Sequence, residues 1–267
     1  MMDTIFGKTL IGLSMVVVAN LAIGMREWMK RTYIVKLNFL ILVISWNVIY
    51  SQTTTISLGR TPIYLPAPAA FHEISKISPE SRELAELTTY ETNRLLAVYY
   101  SESDLGRILK NEEAELNKYM LVQTMESTVK KSFTKSQFQD FIEKGRNDQN
   151  KLWDQYKDKI VPWMEKSSEN IANAQNFINF DMKIGQVVPL GIFYDVPEAF
   201  SFAQLVKITT SMDGVTNDSV LICGSSFILV NNKILFVYVY SNFNNQDDID
   251  WVRNISKTWI KSIEISN

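Results

Sequence analysis

The chain of 267 residues contains one histidine and one cysteine. The side chains that most often supply metal ligands, acid–base relays and thiol nucleophiles are therefore each present once. His72 lies beside Glu73, a pairing that could give a general base with an orienting carboxylate, although a lone His next to an acid is more often a surface or capping side chain. A Ser-His-Asp relay would have to use His72. No Gly-x-Ser-x-Gly elbow presents a serine to it, since Gly224-Ser225-Ser226 lacks the second glycine. Ser127 with Lys130, and Ser132 with Lys135, match the Ser-x-x-Lys spacing that sets an amine beside a nucleophilic hydroxyl. Two such matches are what chance supplies here, and the Lys-Thr-Gly partner motif is missing.

The carboxylates have equally plain readings. Asp247, Asp248 and Asp250 are the densest acidic cluster and could hold a hard cation through oxygen ligands. Acids at a helix start are also expected from capping and the helix dipole, at about 0.3–1 kcal/mol each, and the spacing lacks the glycine of a calcium loop. Glu102 and Asp104 are read the same way. Asn217-Asp-Ser219 and Asn254-Ile-Ser256 match the glycosylation sequon, the second inside an expected helix, and both are read as chance matches. Cys223 sits in an apolar run and is expected to be a small buried hydrophobe. The reading is accordingly no catalytic residue, no metal and no cofactor.

Charge divides the chain in two. Residues 1–52 hold five cations (Lys8, Arg26, Lys30, Arg31, Lys36) against Asp3 and Glu27, a net +3, whereas the whole chain is −2, which leaves −5 for the remainder. An acidic body with no dense basic run excludes nucleic acid as its partner. The leader carries two apolar runs, Thr4 to Gly24 and Leu37 to Tyr50. The second follows Met29-Lys30-Arg31 and ends at Ser51, which is the pattern of a secretory signal peptide with translation beginning at Met25 or Met29. The alternative is a retained anchor in which both runs span and the basic loop faces the cytoplasm. Both readings place residues 53–267 outside the cytoplasm, in the periplasm, at the cell surface or anchored to the membrane.

The body is long enough for one core without disulfides. The prolines of Thr61 to Ala70 predict an extended lead-in, followed by a short strand over Phe71 to Ile77. Ser78-Pro79-Glu80 and Ser101-Glu102-Ser103-Asp104 each predict a helix start, and Asn93–Tyr100 and Tyr119–Met125 read as buried strands. From Thr134 to Met182 apolar residues recur at three- and four-residue steps, which predicts a long amphipathic helical insert, kinked or broken at Pro162, whose second piece folds back. Trp153, Tyr156 and Trp163, interspersed with Lys151, Lys157, Lys159 and Lys166, are the candidate partner-binding residues, for an envelope protein or a membrane surface. The competing reading packs this helix on its own sheet. The last third alternates at period two over Val187–Tyr194, Ser201–Ser211, Ser219–Val230 and Lys233–Tyr240, with a tight turn at Asn231-Asn232 and a terminal helix carrying Ile249, Val252, Ile255, Trp259, Ile260 and Ile263. The order predicts an α+β fold, an antiparallel sheet flanked by helices.

The two consecutive strands Val220–Val230 and Lys233–Tyr240, the acidic turn and the helix Asp248 to Ile265 resemble the closing unit of Mog1/PsbP-like domains. Those domains are antiparallel sheets between helices. The resemblance covers about a quarter of the chain, and the helical insert departs from the family's compact form. It implies a non-catalytic binding or assembly role and transfers no functional residue. The expectation is an exported or membrane-anchored accessory protein of the cell envelope, with an envelope hydrolase using His72 or a Ser/Lys pair as the alternative. Oligomeric state is not legible.

Overall fold

The computed structural model describes residues 53–110, 112, 114–148, 151–175, 177 and 179–267. The leader, with its signal-peptide or anchor reading, lies outside the described residues. Among these residues no helix is long and apolar enough to cross a membrane.

The architecture is α+β. Strands β1 (Thr53–Leu58) and β2 (Thr61–Pro66) form a hairpin of their own. β3 (Phe71–Glu73), β4 (Asn93–Ser101), β5 (Lys118–Met125), β6 (Phe180–Val196), β7 (Ala199–Met212), β8 (Val215–Val230) and β9 (Lys233–Asn242) build a seven-stranded antiparallel sheet in the order β3-β4-β5-β9-β8-β7-β6. Helix α1 (Pro79–Leu87) joins β3 to β4 and α2 (Glu102–Leu109) joins β4 to β5. α3 (Lys135–Asp148) and α4 (Leu152–Gln175) form the insert before β6, and α5 (Gln246–Ser266) closes the chain.

The period-two pattern sends alternate residues to opposite faces, which gives the sheet two cores. One face, with Phe200, Phe227, Phe236, Tyr238 and Tyr240, packs under Phe138, Phe141 and Ile142 of α3 and Tyr156, Ile160 and Met164 of α4. The other, with Tyr99, Met120, Val122, Ile222, Val237 and Val239, packs under Val252, Trp259, Ile260 and Ile263 of α5 and under Ile63 and Leu65 of the hairpin. The molecule is thus three layers: insert helices, sheet, and hairpin with α5.

Local signals act largely as expected. Asn231 and Asn232 both take positive φ, 48° and 60°, as a primed two-residue hairpin turn requires. α5 starts with a full capping box, in which the Asn245 side chain and Asp248 satisfy each other's backbone donors. Ser101 caps α2, accepting from the Asp104 amide at 3.1 Å. Ser78 precedes α1 but its hydroxyl meets Ser81 Oγ at 2.8 Å and makes no cap bond.

Two expectations are corrected. The stretch Thr61 to Ala70 is more than a lead-in, because its first six residues pair with Thr53–Leu58. Pro62 and Pro66 fit the outer strand of a two-stranded hairpin, where a missing amide hydrogen breaks no central ladder. Pro162 does not end the insert helix. It lies inside α4 on the solvent face, so the carbonyl of exposed Asp158, which loses its amide partner, can bond water instead. The insert divides earlier, between Asp148 and Leu152, and its final residues, from Phe180, already belong to β6.

Candidate functional site

The residues singled out for chemistry do not converge. His72 sits on the edge strand β3 opposite Tyr100, and its neighbour Glu73 points the other way into the protein. There Glu73 Oε1 accepts from the Ser75 amide at 3.1 Å and from the Ser75 hydroxyl, so it braces the turn after β3. Ser127, Lys130, Ser132 and Lys135 are exposed on and after the short 3-10 turn Glu126–Thr128, and Lys135 pairs with Glu198. Asp248 Oδ2 accepts from the backbone amides of Asn244 and Asn245 at 2.9 and 3.2 Å, and these bonds hold its carboxyl below the usual range. Asp250 accepts from Gln246 at 3.1 Å. Among the described residues no three His, Cys, Asp or Glu are placed to hold a metal ion.

Cys223 is fully buried, and burial pushes its thiol up to about 12. Of the candidate partner-binding residues, Tyr156 and Trp163 point into the core, Trp163 edge-on to Tyr90 at 5.5 Å, and Trp153 packs half-buried against the same cluster. Their apolar periodicity is that of a helix lying on its sheet, so what α4 shows to solvent is Lys157, Asp158, Lys159, Val161 and Lys166.

Among the described residues, grooves open elsewhere on the surface, and neither of the two described below is lined by His72 or by the Ser/Lys pairs. The first, of about 460 Å³, lies where α1 ends and β4 begins. Its charges are committed internally. Arg82 bonds Glu86 at 2.9 Å, the Ser75 hydroxyl at 2.6 Å and the Leu95 carbonyl at 3.2 Å, and Arg94 grips both oxygens of Glu126 at 2.6 and 2.5 Å. The guanidinium keeps the Glu126 carboxyl below its ordinary range. These bonds tie α1 and the end of β5 to the half of β4 that β3 does not reach.

The second groove, of about 540 Å³, is assembled from three separate pieces of chain. The end of β6 supplies Tyr194 and Val196, and the turn into β7 supplies Glu198. The end of β8 supplies Leu229 and Val230, followed by Asn231 of the hairpin turn, and the last turn of α5 supplies Glu264 and Asn267. Apolar side chains make the floor, while carboxylates and amides make the rim. The pieces are fixed to each other: the Leu229 amide donates to the Glu198 carbonyl at 2.8 Å, and Asn231 Nδ2 to Asn267 Oδ1 at 3.3 Å. Asn267 in turn reads the edge of β2 as a strand would, accepting from the Tyr64 amide at 2.9 Å and donating to the Tyr64 carbonyl at 2.7 Å.

Two titratable groups of this groove are shifted. Burial, with Glu198 close by, pushes the Glu264 carboxyl above its usual range, against the opposing pull of Lys261. Burial and the same two carboxylates push the Tyr194 phenol up. A carboxylate raised by desolvation and a like charge inside a cleft marks a candidate binding surface. Sequence reasoning flagged Asn231 alone, and only as a turn. The usable signal was Glu264, an acid four residues after Ile260 and adjacent to Ile263 on the stripe of α5.

No family model matches the sequence, and no curated protein matches it significantly. Structural comparison returns a point variant of the protein Mog1, with 12% identity over 76% of this chain and 84% of that one, at a TM-score of 0.27. It also returns the Ran-binding protein Mog1p of Saccharomyces cerevisiae, with 12% identity over 77% and 85%, at 0.25. Scores of this size assign the chain to no family, and the description of its fold stands on its own strand order and register.

Proposed function

We propose that residues 53–267 form a non-catalytic binding or assembly module of the cell envelope, delivered across or held at the membrane by the leader 1–52, with an envelope protein as partner. The observation that supports binding is the 540 Å³ groove, whose apolar lining includes partly exposed Val196 and Leu229 beside buried Val230, together with Glu198, Asn231, Glu264 and Asn267. Apolar surface left accessible inside a polar rim is what a docking segment buries. Its walls are rigid secondary structure joined by hydrogen bonds, so little ordering is required on binding.

The test is photo-crosslinking in intact cells, with a photoreactive residue at Val196 and, as control, at exposed Asn254 on α5. The expected result is a discrete adduct from Val196 and none from Asn254. Identical patterns from both positions refute the groove as the docking surface. Protease added to cells whose outer barrier has been opened should degrade residues 53–267 while cytosolic proteins survive. A protected body refutes the envelope location.

A further inference from the structure

The geometry points to a polypeptide segment carrying a Lys or Arg side chain beside apolar residues as the occupant of this groove, the cation lying between Glu198 and Glu264 and the apolar residues on Val196 and Leu229. This rests on the docking reading above and adds the chemistry of the partner. Two carboxylates reach one concavity from different elements, the β6–β7 turn and the last turn of α5. The cations near them do not fill it. Lys135 meets Glu198 from α3 through an ion pair exposed on both sides, and such pairs contribute little to stability. Lys261 is exposed one turn back on α5. Burial first, and the nearby Glu198 second, raise the Glu264 carboxyl, and the pull of Lys261 does not offset them.

An ammonium or guanidinium group entering here gains the Glu264 carboxylate, unpaired among the described residues, and shares Glu198 with the exposed Lys135, and its methylene stem adds apolar area to the groove. The amides of Asn231 and Asn267 are already engaged with each other and with β2, so they shape the rim and leave the carboxylates to select the ligand. An acidic segment would bring a third carboxylate to the same place.

The experiment titrates the full chain, purified in detergent, with three capped tripeptides, Leu-Lys-Leu, Leu-Gln-Leu and Leu-Glu-Leu, following the methyl resonances of Val196, Leu229 and Val230 by NMR. The expected result is saturable shifts with the Lys peptide binding at least tenfold more tightly than the Glu peptide. Glu264→Gln should cut that ratio at least threefold, and Glu198→Gln with Glu264→Gln should abolish it. Glu264→Gln conserves volume and removes a repelled charge, so an unchanged or raised Tm checks that it folds. Equal affinity for all three peptides overturns the charge assignment while leaving the groove as a docking surface. No saturable shift with any peptide up to about 10 mM, a free energy of less than about 3 kcal/mol, overturns both.

Discussion

Gly224 lies directly beneath Val252 and Ser256 of α5, and replacing it measures how tightly the helix is seated. A Cβ built there would lie 2.7 Å from Val252 Cγ1 and 3.1 Å from Ser256 Oγ. Carbon atoms sit comfortably about 3.5–4.0 Å apart, so the overlap with Val252 is about 1 Å. Val252 has no exposure, and a β-branched side chain in a helix has one strongly preferred rotamer, so it cannot swing clear. The helix must lift, loosening Trp259 and Ile260 on the same stripe. Overpacking of this kind costs about 1–3 kcal/mol. Gly224→Ala should therefore destabilise by about 2 kcal/mol, which lowers Tm by about 4–8 °C for a body of this size. Urea unfolding checks the magnitude, and a cycle with Val252→Ala checks the cause. If the two methyl groups compete for the same space, the double variant recovers about 1–2 kcal/mol relative to the sum of the singles. Gly106→Ala in α2, where a Cβ would meet nothing within 4 Å, should gain about 0.5–1 kcal/mol from helix propensity. A Gly224→Ala variant within about 0.5 kcal/mol of the parent would refute the close seating of α5.

Three further outcomes follow from the side chains already described. Trp163→Ala should cost about 3–5 kcal/mol in chemical unfolding, while Lys157→Ala on the outer face of α4 stays within about 0.5 kcal/mol; equal small losses would return Trp163 to the surface and to partner binding. With its thiol pushed up to about 12 and no solvent exposure, Cys223 should resist a disulfide reagent at pH 8 in the native state and react fully in denaturant, and rapid native labelling would contradict its burial. Glu264 has a raised native carboxyl, so the native state binds the extra proton and stability contributed at this site is highest below the ordinary carboxylate range and is lost as pH rises through the raised value. The stability gain of Glu264→Gln should accordingly be larger at pH 7 than at pH 4, and a gain that is the same at both would refute the raised carboxyl.

The elements that could be read from the sequence are those whose signal is local. The strands β7, β8 and β9 are legible because faces buried on both sides give apolar runs, as in β9, and a buried face opposite a wet one gives alternation, as in the second half of β7. The Asn231-Asn232 turn and the capping box of α5 depend on side chains bonding their own neighbours. Three features depended on distant partners and were not legible. Thr53–Leu58 has little apolar character, and only pairing with Ile63 and Leu65 across the hairpin makes it a strand. Pro162 breaks a helix only where its orphaned carbonyl cannot find water, and solvent exposure is a tertiary property. The aromatic stripe of α4 has the same periodicity whether it meets a partner or its own sheet. Burial of Tyr156 and Trp163 is what separates the two.

The groove was illegible for a more general reason. Tyr194 with Glu198, Leu229, and Glu264 lie on three stretches separated by tens of residues and share no spacing, because the antiparallel meander folds the β6–β7 turn, the end of β8 and the end of α5 onto one edge. A short motif encodes a site only when one turn or one helix face supplies it. Here each contributor answers first to its own element: Leu229 to the ladder with Ile234, Glu264 to the flank of the α5 stripe, Glu198 to the turn that bonds Leu229. Their convergence is a property of register, since shifting β8 by one residue against β9 would exchange the faces taken by Leu229, which packs on the insert-helix side, and Val230, which packs on the α5 side. The same register places Cys223 in the core and leaves carboxylates, amides and apolar side chains as what the groove presents. Those groups recognise a partner by charge and buried area, and this is the chemistry the tripeptide titration separates from simple apolar contact.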